Sequence, residues 1–148
     1  MKKIKMMMVL FLIGTMGLFA QTMQTTLSEA TKVVIQVEEE LDMEIVNITF
    51  DLTTSTEWKW TYRDLYTGWN YVIYAAGQMV KVADMDLRVM KKNANDDWET
   101  IEEDVLADFS AAVAISPEVT ERYAIGVKVA EFEDGYTACN YYILIAHE

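Results

Sequence analysis

The chain has 148 residues, with one cysteine, one histidine and 24 acidic against 12 basic residues. A single cysteine excludes an intramolecular disulfide, and a net charge of −12 disfavours nucleic acid and anionic membrane surfaces as partners. The length suits one core and is too short for two ordinary domains.

Lys2, Lys3 and Lys5 precede the apolar run Met6 to Ile13, and Gly14 to Ala20 carries small residues ahead of Gln21. That order predicts a secretory signal peptide over residues 1–20, cut after Ala20, with an uncleaved anchor as the alternative. Met6 to Ala20 falls short of the ~20 apolar residues that span a bilayer comfortably. Removing the leader leaves 9 basic and 24 acidic residues, a net charge near −15. Export predicts a periplasmic or extracellular location. Cys139 lies far from the cut and cannot carry a leader-linked lipid; it reads as a small buried hydrophobe, with a reactive or pairing thiol as the alternative.

Residues 21–42 form an N-terminal extension. Leu27, Ala30, Val34, Val37 and Leu41 recur at helical spacing, and Thr26 with Glu29 three residues later matches a capping box, so a helix is expected. The β-branched cluster Val33, Val34, Ile35 and Val37 leaves a strand open. Glu38, Glu39 and Glu40 read as a solvated face.

From Met43 to residue 148 the period changes to two, and this stretch is expected to form the sandwich domain. Glu44 to Leu52 is strand-like, and Thr53 to Thr56 is a turn. Trp58, Trp60 and Tyr62 alternate with Lys59, Thr61 and Arg63, and Asp64 to Gly68 is a loop. Trp69 to Ala76 is apolar on both faces, as a central strand is. In Asp84 to Met90, Met85, Leu87 and Val89 share one face, while Asp84, Asp86 and Arg88 take the other. Lys91 to Asp97 reads as a hairpin turn into Trp98 to Glu103. Phe109 to Ile115 ends at Ser116-Pro117. Tyr123, Ile125, Val127 and Val129 alternate with Ala124, Gly126, Lys128 and Ala130, and after Asp134-Gly135 the run Tyr136 to Ala146 closes the domain. About eight short strands at regular spacing predict an all-β antiparallel sandwich or barrel with one short N-terminal helix, its core including Leu87, Val89, Ile125, Val127 and Ile143.

The order Asn70-Tyr-Val-Ile-Tyr-Ala-Ala-Gly77, Asp84-Met-Asp-Leu-Arg-Val, Val113-Ala-Ile-Ser-Pro117, Arg122-Tyr-Ala-Ile-Gly-Val-Lys128 and Asn140-Tyr-Tyr-Ile-Leu-Ile145 resembles the bacterial pre-peptidase C-terminal domain over roughly residues 57 to 146. The resemblance implies a jelly-roll-like sandwich, usually an accessory domain beside a secreted enzyme. Thr120-Glu121-Arg122 stands where that family often has a Thr-Gly turn, and the sandwich is expected to stand alone, without a protease domain beside it. Cys139-Asn-Tyr-Tyr142 is also similar to the ending of a group of stand-alone secreted sandwiches with a helix ahead.

No Gly-rich phosphate loop, HExxH or paired Cys-x-x-Cys occurs, and no catalytic residue is assigned. His147, the only histidine, is penultimate and reads as frayed. A non-catalytic binding or interaction module of the envelope is expected, with an unknown protein or polysaccharide as partner. A structural envelope protein and, more weakly, a secreted hydrolase are the alternatives. Trp58, Trp60 and Tyr62 must share one face of their strand, with Tyr66 and Trp69 in the adjoining loop. Facing inward, the three are core; facing outward, they make a platform for sugar stacking or protein docking. The loop pair is expected to be exposed. Asp84 and Asp86, with Asp96 and Asp97 of the following turn, are candidate calcium ligands, the alternative being a solvated acidic face.

Overall fold

The computed structural model describes residues 23–148, so the expected leader lies outside the described residues. Residues 23–35 are α-helical and continue into a π-turn, Gln36–Glu40; together they make α1. Eight strands follow: β1 (Glu44–Thr53), β2 (Lys59–Leu65), β3 (Tyr71–Gly77), β4 (Val82–Lys92), β5 (Trp98–Asp104), β6 (Ser110–Ile115), β7 (Glu121–Phe132) and β8 (Cys139–His147). Sheet I has the order β1-β8-β3-β6 and sheet II the order β2-β7-β4-β5, all pairings antiparallel.

The chain crosses between sheets at nearly every connection. Only β4 and β5 are a hydrogen-bonded consecutive pair. This is the wrapping of an eight-stranded jelly roll, two Greek keys folded face to face. The β4–β5 hairpin closes at the expected polar turn: Asn95 and Asp97 N–H groups donate to Asn93 Oδ1 (2.9 and 3.1 Å), and Asp96 takes a left-handed conformation (φ 67°).

Alternation of side chains assigns the core. Leu87, Val89, Ile125, Val127 and Ile143 are all buried between the sheets, with Ile73, Met85, Tyr123 and Ile145 beside them. β8 is buried on both faces because its other side, Tyr142, Leu144 and Ala146, packs beneath α1. There Ala30, Val33, Val34 and Val37 face the sheet.

Two details of the helix differ from expectation. Thr26 sits inside the helix, three residues past Met23, and is buried rather than capping. Leu27 and Leu41 are exposed. The π-turn is the reason for Leu41: its N–H bonds Gln36 O (3.3 Å), five residues back, which changes the phase and turns Leu41 away from the sheet. Asp42, left-handed at φ 53°, ends the helix, and Met43 turns back into the core.

Candidate functional site

With α1 over sheet I, the outer face of sheet II is covered by aromatic rings instead. Trp60 pairs in register with Gly126, and Tyr62 with Ala124. Those two small residues, with Lys128, form the outward face of β7, since Tyr123, Ile125 and Val127 point into the core. A side chain on Gly126 would place its Cβ 2.5 Å from the Trp60 ring, so glycine there lets the indole lie flat on the strand.

Trp58 stacks on Trp60 with ring centres 5.6 Å apart, and Arg88 and Lys128 lie over the Trp58 ring at 4.6 and 5.4 Å. Tyr62 meets Trp98 of β5, also at 5.6 Å. Arg88 is fixed by Glu103 (2.9 Å) and Lys128 by Asp86 (2.8 Å). The aromatic row is therefore outward: Trp60 is 38% and Tyr62 48% exposed, and the core placement left open by the sequence does not occur. Trp98 joins this row without having been expected there. Its signal was the run of small residues on one face of β7, which needs large side chains from neighbouring strands to cover it.

Tyr66 and Trp69 are exposed as expected, at 54% and 44%, but they do not extend the platform. They wall a cleft of about 350 Å³ between the free edges of β1 and β2, together with Asn47, Arg63, Asp64 and His147. His147 is not frayed. It is 9% exposed, paired with Glu44 and Tyr71 in sheet I, and the residue after it is held by reciprocal bonds: Glu148 N–H to Asn70 O (3.1 Å) and Asn70 N–H to Glu148 O (3.2 Å). Trp69 lies edge-on to the imidazole at 4.0 Å. The far stretch of the same edge is closed by Asp51, which accepts from Lys59 Nζ (2.9 Å) and Tyr141 Oη (3.0 Å). Burial works to raise the Asp51 carboxyl, but those donors and the Leu52 N–H outweigh it and hold it below the usual range.

The four candidate calcium ligands are not brought together. Asp84 and Asp86 lie near the start of β4, whereas Asp96 and Asp97 lie in the turn beyond its far end, roughly 25 Å away at ~3.3 Å per residue. Asp86 is buried against Lys128, and Asp84 is pushed up by burial and by Asp86. Among the described residues no cluster of three or more metal-ligating side chains forms. Cys139 is buried in the inter-sheet core, its thiol pushed up to about 11 by burial, and lies at the opposite end of β8 from His147, which separates the two halves of any Cys–His couple.

No family model and no curated protein matches the chain. Solved structures with a similar outline include the Aeromonas hydrophila periplasmic inhibitor of g-type lysozyme (13% identity, 69% of this chain and 85% of that one, TM-score 0.46). The Yersinia pseudotuberculosis-derived mitogen is another (13%, 67% and 84%, TM-score 0.45). A third is a CBM4 structure (10%, 76% and 83%, TM-score 0.41). At such identities the likeness is one of sandwich architecture. No helix among the described residues is long and apolar enough to cross a membrane.

Proposed function

We propose that this protein is an exported, non-catalytic binding module that holds an extended polysaccharide chain against the outer face of sheet II. The observation that carries the reading is the row Trp58, Trp60, Tyr62 and Trp98, partly exposed rings laid over a floor of Ala124 and Gly126. Flat π faces stack on the C–H faces of sugar rings, while Arg88, Lys128 and Glu103 at the margin supply donors and acceptors for hydroxyls. The exposed faces of Trp60 and Tyr62 suit the middle of a chain. A net charge near −15 for the leader-free chain turns anionic polymers away, so a neutral or amino-bearing glycan is the fitting class. The resemblance to an accessory domain of secreted enzymes agrees with this role, as does the lysine-rich leader.

A protein partner is favoured by a different feature. Met79 and Val80 after β3, with Val105 and Leu106 after β5, expose four apolar side chains at one end of the sandwich.

Retention on insoluble cellulose, chitin and xylan, compared with anionic pectate, tests the main reading. The wild-type chain should be held by at least one neutral or amino polymer, and the Trp60→Ala/Tyr62→Ala variant should lose at least tenfold in affinity. A wild type that none retains, or a variant retained equally well, overturns the proposal.

A further inference from the structure

We infer that the cleft between the β1 and β2 edges is a second binding site, which takes a single neutral sugar ring at the end of a glycan chain. The choice of ligand rests on the glycan reading above; the site itself rests on separate residues.

The cleft is blind. Leu65, Tyr71 and Ile145, all buried, close its inner end, and its volume of about 350 Å³ lies at the low end of small-molecule sites. A chain end enters such a space, whereas a continuous polymer does not pass through it. Trp69 and Tyr66 form an aromatic wall at the mouth, the surface on which a sugar ring stacks.

Polar capacity within the cleft is left unused by the fold. Among the described residues no carboxylate lies within ion-pair distance of the Arg63 guanidinium, whose hydrogen bond goes to its neighbour's carbonyl, Tyr62 O, at 3.3 Å. His147 Nδ1 is buried without a partner beside the Trp69 ring, at the base of the cleft wall. Asp64, one residue on, points to the outer face with Tyr62 and is engaged there by Arg122 Nε at 3.2 Å, so it leaves the Arg63 donors unpaired. The Arg63 donors suit sugar hydroxyls, and Glu44, 3.9 Å from His147 Nε2, together with the acidic charge of the whole chain disfavours an anionic ring.

The wall is pre-organised, which spares the ligand an ordering cost. Tyr66 N–H donates to Tyr71 Oη (3.1 Å), Thr67 N–H to Thr120 Oγ1 (3.1 Å) and Thr67 Oγ1 to Glu118 O (3.3 Å). Gly68, at φ +88°, supplies the left-handed turn between them.

The test is a ¹H–¹⁵N titration of the purified chain with the methyl glycosides of glucose, galactose and N-acetylglucosamine, following the Trp69 indole and Arg63 Nε–H signals. At least one glycoside should shift both signals saturably at millimolar concentration. Arg63→Ala and Trp69→Ala should each weaken that binding at least tenfold while melting within a few degrees of wild type. Tyr66→Ala, at the most exposed aromatic of the site, replaces either variant if it fails to fold. If no glycoside moves these signals while the chain is retained on a polysaccharide, the cleft inference fails and the platform reading stands. Shifts that the substitutions leave unaltered also overturn the cleft. Saturable cleft shifts without polymer retention uphold the cleft and sink the platform.

Discussion

Replacing Gly126 by Ala tests whether the platform's geometry depends on the floor beneath Trp60. The new Cβ would meet the indole at 2.5 Å, closer than carbon atoms pack, and the half-exposed ring is the part free to move. About three-fifths of the residue's surface is covered; if lifting the ring uncovers roughly 70 Å² of it, the loss is about 1.7 kcal/mol at ~25 cal/mol per Å². Alanine in place of glycine returns about 0.5–1 kcal/mol in backbone entropy. The expected net destabilisation is therefore about 1 kcal/mol, accompanied by a red-shifted tryptophan emission and weaker polysaccharide retention. Urea unfolding followed by circular dichroism measures the first, fluorescence and retention the others. A loss above about 3 kcal/mol would mean that the ring cannot move and belongs to the core. Equal stability with unchanged emission and retention would mean that Trp60 does not rest on Gly126.

Two further outcomes follow from the same face and from β8. Lys128→Met leaves the buried Asp86 carboxylate unpaired and should cost about 2–3 kcal/mol in urea unfolding, much of it recovered in the Asp86→Leu/Lys128→Met double variant; a single variant within about 0.5 kcal/mol of wild type refutes the pairing. The Cys139 thiol remains protonated in the fold to about 11, against 9.0 for a free thiol, so its contribution is complete below pH 9 and falls by roughly 1.4 kcal/mol per pH unit above it. Between pH 8 and 10 wild type should lose stability faster than Cys139→Ala, and parallel curves would clear the thiol of that role.

Strand positions were legible because period two survives in a sandwich whose two faces differ. Met85, Leu87 and Val89 against Asp84, Asp86 and Arg88 define the inward side of β4 without any knowledge of its partners. β2 offered no such contrast. Parity put Trp58, Trp60 and Tyr62 on one side, but which side depends on Gly126 and Ala124, more than sixty residues later and brought opposite by pairing with β7. The cleft was illegible for a related reason: Arg63, Trp69 and His147 come from an edge strand, a loop and β8, and the tie between Asn70 and Glu148 that orders His147 spans most of the domain. The acidic residues misled because composition brings Asp84 and Asp97 near in number, while an extended strand carries them apart.

The position of β8 also governs how the molecule can be made. It is the partner of both β1 and β3, and β1 waits nearly a hundred residues for it. Until β8 is synthesised, the first strand has no neighbour, α1 has no floor for Val34 and Val37, and half of the core remains open to water. Assembly is thus late, slow and nearly all-or-none, as in folds dominated by distant pairings. A chain that cannot close early stays threadable for longer, and its 24 carboxylates keep the unfinished strands apart in the meantime.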